Sequence, residues 1–128
     1  MGPVYLFDLA SRQADWLASR QAIIAGNIAH ADTPDFKAKD VVPFARVMDR
    51  TNMSMSATQA SHMRPAGDAW PEVEVKRDRA WEISHSGNSV RLEQELLKTG
   101  EVNREMSLNT SIVQSFHRML MTSLRSQG

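Results

Sequence analysis

Residues 27–38 read Asn27-Ile28-Ala29-His30-Ala31-Asp32-Thr33-Pro34-Asp35-Phe36-Lys37-Ala38, and they contain the end of a helix. The residue before a proline is pushed out of the α region, and an aspartate can hydrogen-bond the backbone of a turn, so Asp32-Thr33-Pro34 is a stop. Asn27 and Asp32 can also satisfy carbonyls and amides left free there. Upstream of the stop, Phe7, Ala10, Ala14, Leu17, Ile24 and Ile28 recur at spacings of three, four or seven. That spacing predicts one amphipathic helix over residues 4–31, about 40 Å long.

A second periodic segment occupies residues 88–125. Its stripe runs Leu92, Leu96, Thr99, Asn103, Met106, Thr110, Val113, His117, Leu120 and Leu124, flanked by Leu97, Ile112, Phe116 and Met119. Asn88 or Ser89 is the predicted N-cap, without a Glu or Gln three residues on to complete a capping box. Thr99, Asn103 and Thr110 weaken a strict coiled-coil seam, and Gly100 costs about 1 kcal/mol relative to Ala inside a helix. Val113, Phe116, Leu120 and Leu124 exceed the apolar surface that one intramolecular contact needs.

Residues 32–87 differ in character. Residues 36–44 predict an extended stretch followed by a short helical turn to Met48. Residues 51–67 are rich in Ser, Thr, Met and Ala without a period, and are read as a mobile loop. Val73 and Val75 alternate with charged residues, and Trp81-Glu82-Ile83 answers them as the second strand of a small hairpin. Trp70 and Trp81 are expected to pack on that hairpin or on a neighbour.

The 15 Lys plus Arg balance 15 Asp plus Glu, so no global field draws the chain to nucleic acid or to an anionic membrane. There is no cysteine, which excludes disulfides and thiolate metal sites. The first cation is Arg12 and no segment has the length of a bilayer span, so neither a secretory leader nor a membrane anchor is expected. His30, His62, His85 and His117 lie far apart, with no pair at i, i+4, and no metal or cofactor is expected. Ser84-His85-Ser86-Gly87 lacks the paired glycines of a nucleophile elbow. Asp32 and Asp35 stand in a turn where aspartate has a structural reason to be. No catalytic activity or small-molecule substrate is expected.

The stretch from Asn27 to Ala38 resembles the N-terminal signature of the flagellar axial proteins, commonly Asn-Ile-Ala-Asn-Ala-Asp-Thr-Pro-Gly-Tyr-Lys. It is carried here by Asn27, Ile28, Ala29, Asp32, Thr33, Pro34, Phe36 and Lys37. Gly87-Asn88-Ser89-Val90-Arg91-Leu92-Glu93-Gln94-Glu95 resembles the approach to the last helix of the family's short proximal-rod members, through Gly87, Asn88, Val90, Leu92, Glu93 and Glu95. His30 replaces the usual Asn, and Asp35-Phe36 replaces Gly-Tyr. Because Asp tolerates positive φ less well than Gly, a somewhat different turn is expected at Asp35.

The resemblance implies a mainly α fold, residues 1–128 forming one rod-protein domain. Its two long helices would pair as an antiparallel coiled coil or helical hairpin around an irregular middle. It implies a structural subunit of the proximal rod, in the periplasm, exported by the flagellar type III route without a cleaved signal peptide. Neighbours would be further copies, rod proteins of the FlgC and FlgF types, the adaptor FliE, the membrane ring and the export gate. Helix-pairing and subunit contacts are expected from Phe7, Ala14, Leu17, Ile24, Ile28, Leu92, Leu96, Met106, Val113, Phe116, Leu120 and Leu124. Pattern alone also permits a free-standing helical interaction module, an adaptor or secretion chaperone.

Overall fold

The structure is a computed structural model and describes residues 3–52, 74–78, 80 and 83–128. Helix α1 spans Pro3–Ala29, strand β1 Lys39–Val41, helix α2 Phe44–Asn52, strand β2 Val75–Arg77 and helix α3 Leu92–Arg125. Proline suits the first position of α1, where its missing N–H has no intrahelical partner to lose. The helix ends two residues before the expected 31. His30 N–H donates to Gly26 O and Asn27 O, its Nδ1 lies 2.8 Å from Gly26 O, and Ala31 N–H donates to Ile28 O. Thr33 N–H then bonds His30 O, so the chain has left the helix before Pro34.

The two long helices run antiparallel. Phe7 meets Phe116 edge to face at 5.4 Å between ring centroids, Asn109 Nδ2 donates to Ala10 O at 2.9 Å, and Asn27 Nδ2 donates to Glu95 Oε2 at 3.1 Å. The apolar core lies in the half of this pair nearer the turn. It comprises Trp16, Leu17, Ile24, Val41 and Val102, with Ile23, Phe44, Val47 and Met106 packed against it. Trp16 stacks at a tilt on Phe44 and satisfies its indole N–H on Val42 O at 2.8 Å, as a buried tryptophan requires. Through this contact β1 and α2 are held on α1.

Five expectations are corrected. β2 pairs antiparallel with β1 in the register Lys39↔Arg77, Asp40↔Lys76, Val41↔Val75, so among the described residues its strand partner is 39–41; of the expected partner 81–83 only Ile83 is described, and it is exposed and outside any strand. α3 begins at Leu92 rather than 88, with Arg91 at the N-cap and no side-chain cap, because Asn88 and Ser89 bond residues of the turn instead. The inward face of α3 is rotated from the expected stripe: Leu92, Leu96 and Leu124 are exposed, while Gln94, Glu95, Lys98, Val102 and Asn109 are buried. Asp35 adopts φ 60, the left-handed conformation a glycine would take there. The helical turn expected to end at Met48 continues to Asn52. Residues 53–73 and Trp81 lie outside the described residues, and with them most of the expected loop and both tryptophans of the expected hairpin.

Candidate functional site

The two motifs, some sixty residues apart in sequence, form one junction. Asn27 is buried at the end of α1 and faces Lys39 as a neighbouring strand would: Nδ2 donates to Lys39 O at 2.7 Å and Oδ1 accepts from Lys39 N–H at 3.0 Å. One side chain thus covers the outer edge of β1 and also reaches Glu95. Opposite it, the Asn88 amide shares its two hydrogens among His30 O at 2.8 Å, Ala31 O at 2.9 Å and Thr33 O at 2.7 Å, while its Oδ1 accepts from Val90 N–H. The carbonyls freed where α1 stops are those that Asn88 collects.

The backbone strands of the junction are bonded as well. Ser89 N–H donates to Phe36 O and Ser89 Oγ accepts from Ala38 N–H, while Asp35 N–H donates to Ser86 O. Lys37 Nζ donates to Gly87 O at 2.6 Å. Phe36 stacks on His30 with centroids 4.5 Å apart. Val90 is buried; Ala29, Asp32, Thr33, Pro34 and Glu93 face solvent.

Beside this junction the helices meet through charge rather than through oil. Glu95 is fully buried and accepts from Asn27 and from Lys98 Nζ at 3.1 Å. Lys98 also bonds Asp78 and lies 3.9 Å from Asp40. Arg20 grips Asp40 with two nitrogens at 3.2 and 3.4 Å and reaches Glu101 at 3.5 Å. Burial by itself lowers the pKa of Lys98, but hydrogen bonds to Asp78 and Glu95 and their charge outweigh it, so the ammonium is held above its ordinary range. Arg20 is raised in the same way, burial opposed by Asp40 and then Glu101. These carboxylates are engaged by cations and amides, which is an arrangement for fixing register and offers no free acid or base.

Spacing reasoning missed Trp16, Arg20, Asp40, Asp78, Lys98 and Asn109. Residues 95, 98, 102, 106, 109, 113, 116 and 120 do follow helical spacing, but Glu95, Lys98 and Asn109 are polar, and a purely apolar search passes over those three. Of the expected contact residues, Leu17 and Ile24 are in the core, Phe7, Ala14, Met106, Val113, Phe116 and Leu120 are half-buried along the pair, and Ile28, Leu92, Leu96 and Leu124 are exposed. Leu97, Leu108, Ile112 and Met119 are exposed too, and their spacings of 11, 4 and 7 residues put them on one face of α3.

The sequence is similar to those of known proteins. The chain is 43% identical to the flagellar basal body rod protein FlgB of Agrobacterium fabrum, covering 98% of this chain and 96% of that one. The chain belongs to the FlgB family of flagellar basal body rod proteins. FlgB of Borrelia hermsii is 32% identical over 82% of this chain and 84% of its own, and FlgB of Escherichia coli 26% identical over 85% of each. No protein-family model matches the chain. Among the described residues, no helix is long and apolar enough to cross a membrane.

Proposed function

We propose that the chain is a structural subunit of the proximal rod that packs by helix–helix contact into a helical, tubular axial structure. The observation that carries this reading is the apolar surface of α3 left uncovered after α1 has paired with it: Leu96, Leu97, Leu108, Met119 and Leu124 are each about 60% exposed. An apolar surface of that extent on a 128-residue chain is characteristic of a subunit made to be covered by others. Family membership supports the flagellar setting; in this reading the subunit lies in the periplasmic part of the basal body and is exported without a cleaved leader. The partners are further copies, FlgC- and FlgF-type rod proteins, FliE, the membrane ring and the export gate. In the assembled subunit α1 and α3 wrap as an antiparallel coiled-coil-type pair, with the junction setting their register.

The test is to mix the purified chain with other rod proteins and follow circular dichroism and electron microscopy. A gain of helix together with tubular assemblies is expected. A stably folded chain that forms only soluble complexes of fixed stoichiometry defeats the reading.

A further inference from the structure

The two strands of the sheet are anchored differently. β1 is built into the body of the molecule: Val41 belongs to the core, Val42 O holds the Trp16 indole, and Asn27 covers the edge at Lys39. β2 gives that core no side chain. Val75, Lys76 and Arg77 are all exposed, and the ladder to β1 is flanked by Asp78 N–H on Ala38 O and Val42 N–H on Glu74 O. Charge adds little to this ladder. Lys39 stands opposite Arg77, like against like. Asp40, opposite Lys76, is committed to Arg20, and Lys76 turns to Glu74 at 3.4 Å. β2 reaches α3 through Asp78, whose carboxylate accepts from Lys98 Nζ and from Gln94 Nε2 at 3.3 Å. Lys98 can spare this partner: it keeps Glu95, three residues back on its own helix at 3.1 Å, and Asp40 lies 3.9 Å away. Releasing Asp78 therefore leaves no unpaired cation inside, and the freed carboxylate passes from a partly exposed site into water. The bond from Asn27 to Glu95, which ties α1 to α3, takes no part in the release.

We infer that β2 is a releasable strap: it lifts from β1 and α3 as a unit while the helix pair, the junction and β1 stay in place, and the link from Asp78 to Lys98 is its clasp. Lifting bares Ala38 O and Val42 N–H along the inner edge of β1 and uncovers the otherwise buried Gln94 and Lys98 on α3. The clasp is ionic and its Asp78 end is partly exposed, so salt screens it and the strap opens more often as ionic strength rises. The strap belongs to the single chain and stands whether or not the rod reading does.

Amide hydrogen exchange of the full chain, read residue by residue by NMR and corrected for intrinsic rates, tests the strap. In Asp78→Ala the backbone N–H groups of positions 42 and 78 are expected to exchange about ten-fold faster than in the unaltered chain, while those of Leu17 and Val102 in the helix pair stay within about two-fold. In the unaltered chain, added salt should speed the N–H of Val42 without speeding that of Leu17. A staple supplies the reverse test. Lys39→Cys and Arg77→Cys stand directly opposite each other in a chain that has no cysteine of its own. Placed in the Asp78→Ala chain and oxidised, the staple should return position 42 to slow exchange, and reduction should make it fast again. Unchanged exchange at position 42 in Asp78→Ala overturns the inference, as does an oxidised staple that leaves it fast. Equal acceleration at Leu17 and Val102, or helix lost from the circular dichroism of Asp78→Ala, also overturns it, because strap and helix pair would then open as one unit.

Discussion

Asp35 and Gly87 compete for one volume: a Cβ built on residue 87 would lie 2.2 Å from Asp35 Oδ1, and both residues hold left-handed backbones, φ 60 and φ 81. One residue is in the turn after α1 and the other in the approach to α3, so the two motifs depend on each other's shape. Gly87→Ala is expected to destabilise the chain by about 1–2 kcal/mol, chiefly from the positive φ, because the Asp35 carboxylate can swing aside. In G87A/D35A only the smaller part, the contact, should return. Urea midpoints of the four chains give the cycle; full recovery in the double variant would assign the effect to contact alone.

Glu95 depends on its donors. Removing Asn27 or Lys98 leaves a fully buried carboxylate short of a partner, and breaking a buried pair in this way costs about 3–5 kcal/mol. Lys98→Met is expected to fall in that range and Asn27→Ala at about 2–3 kcal/mol. The pair K98M/E95L, with both charges gone, should recover most of the loss. Thermal unfolding of single and double variants checks this, and additive losses would refute the pairing.

Alkali should loosen the same cluster. The folded pKa of Lys98 lies above its unfolded value, which is about 10.4. Its contribution to stability is therefore complete below about pH 10 and is lost as pH rises through the folded value. Lys98→Arg, whose cation does not titrate in this range, should flatten the decline in urea midpoint above about pH 10. An unaltered slope in that variant would place the titration elsewhere.

Burial separates residues that hold the subunit from residues that serve its surroundings. Leu17 is fully buried, and Leu17→Ala is expected to cost about 2–5 kcal/mol. Leu108→Ser and Ile112→Ser, at exposed positions on α3, should change the stability of the isolated chain by no more than about 0.5 kcal/mol while lowering assembly with other rod proteins. Chemical unfolding and sedimentation read the two effects apart. A stability loss at Leu108 comparable to that at Leu17 would contradict the exposed face.

Local features of this protein were legible in its residues because local chemistry causes them. Pro34 and the Asp32-Thr33 turn end α1 whatever surrounds them, and 3.6-residue spacing announces two long helices. The membership of Asn27 and Glu95 in motifs was visible too, though not that they touch. Tertiary structure alone decided which side of α3 turns inward. Glu95, Lys98 and Asn109 can be buried only because Asn27, Asp78, Asp40 and the Ala10 carbonyl, distant in sequence, satisfy their charges and hydrogen bonds. With those polar groups inside, Leu92 and Leu96 are turned out to solvent. The pairing of β2 with β1 was likewise hidden, since three-residue strands carry too little pattern to name a partner and the register comes from Asp78 N–H on Ala38 O and Val42 N–H on Glu74 O.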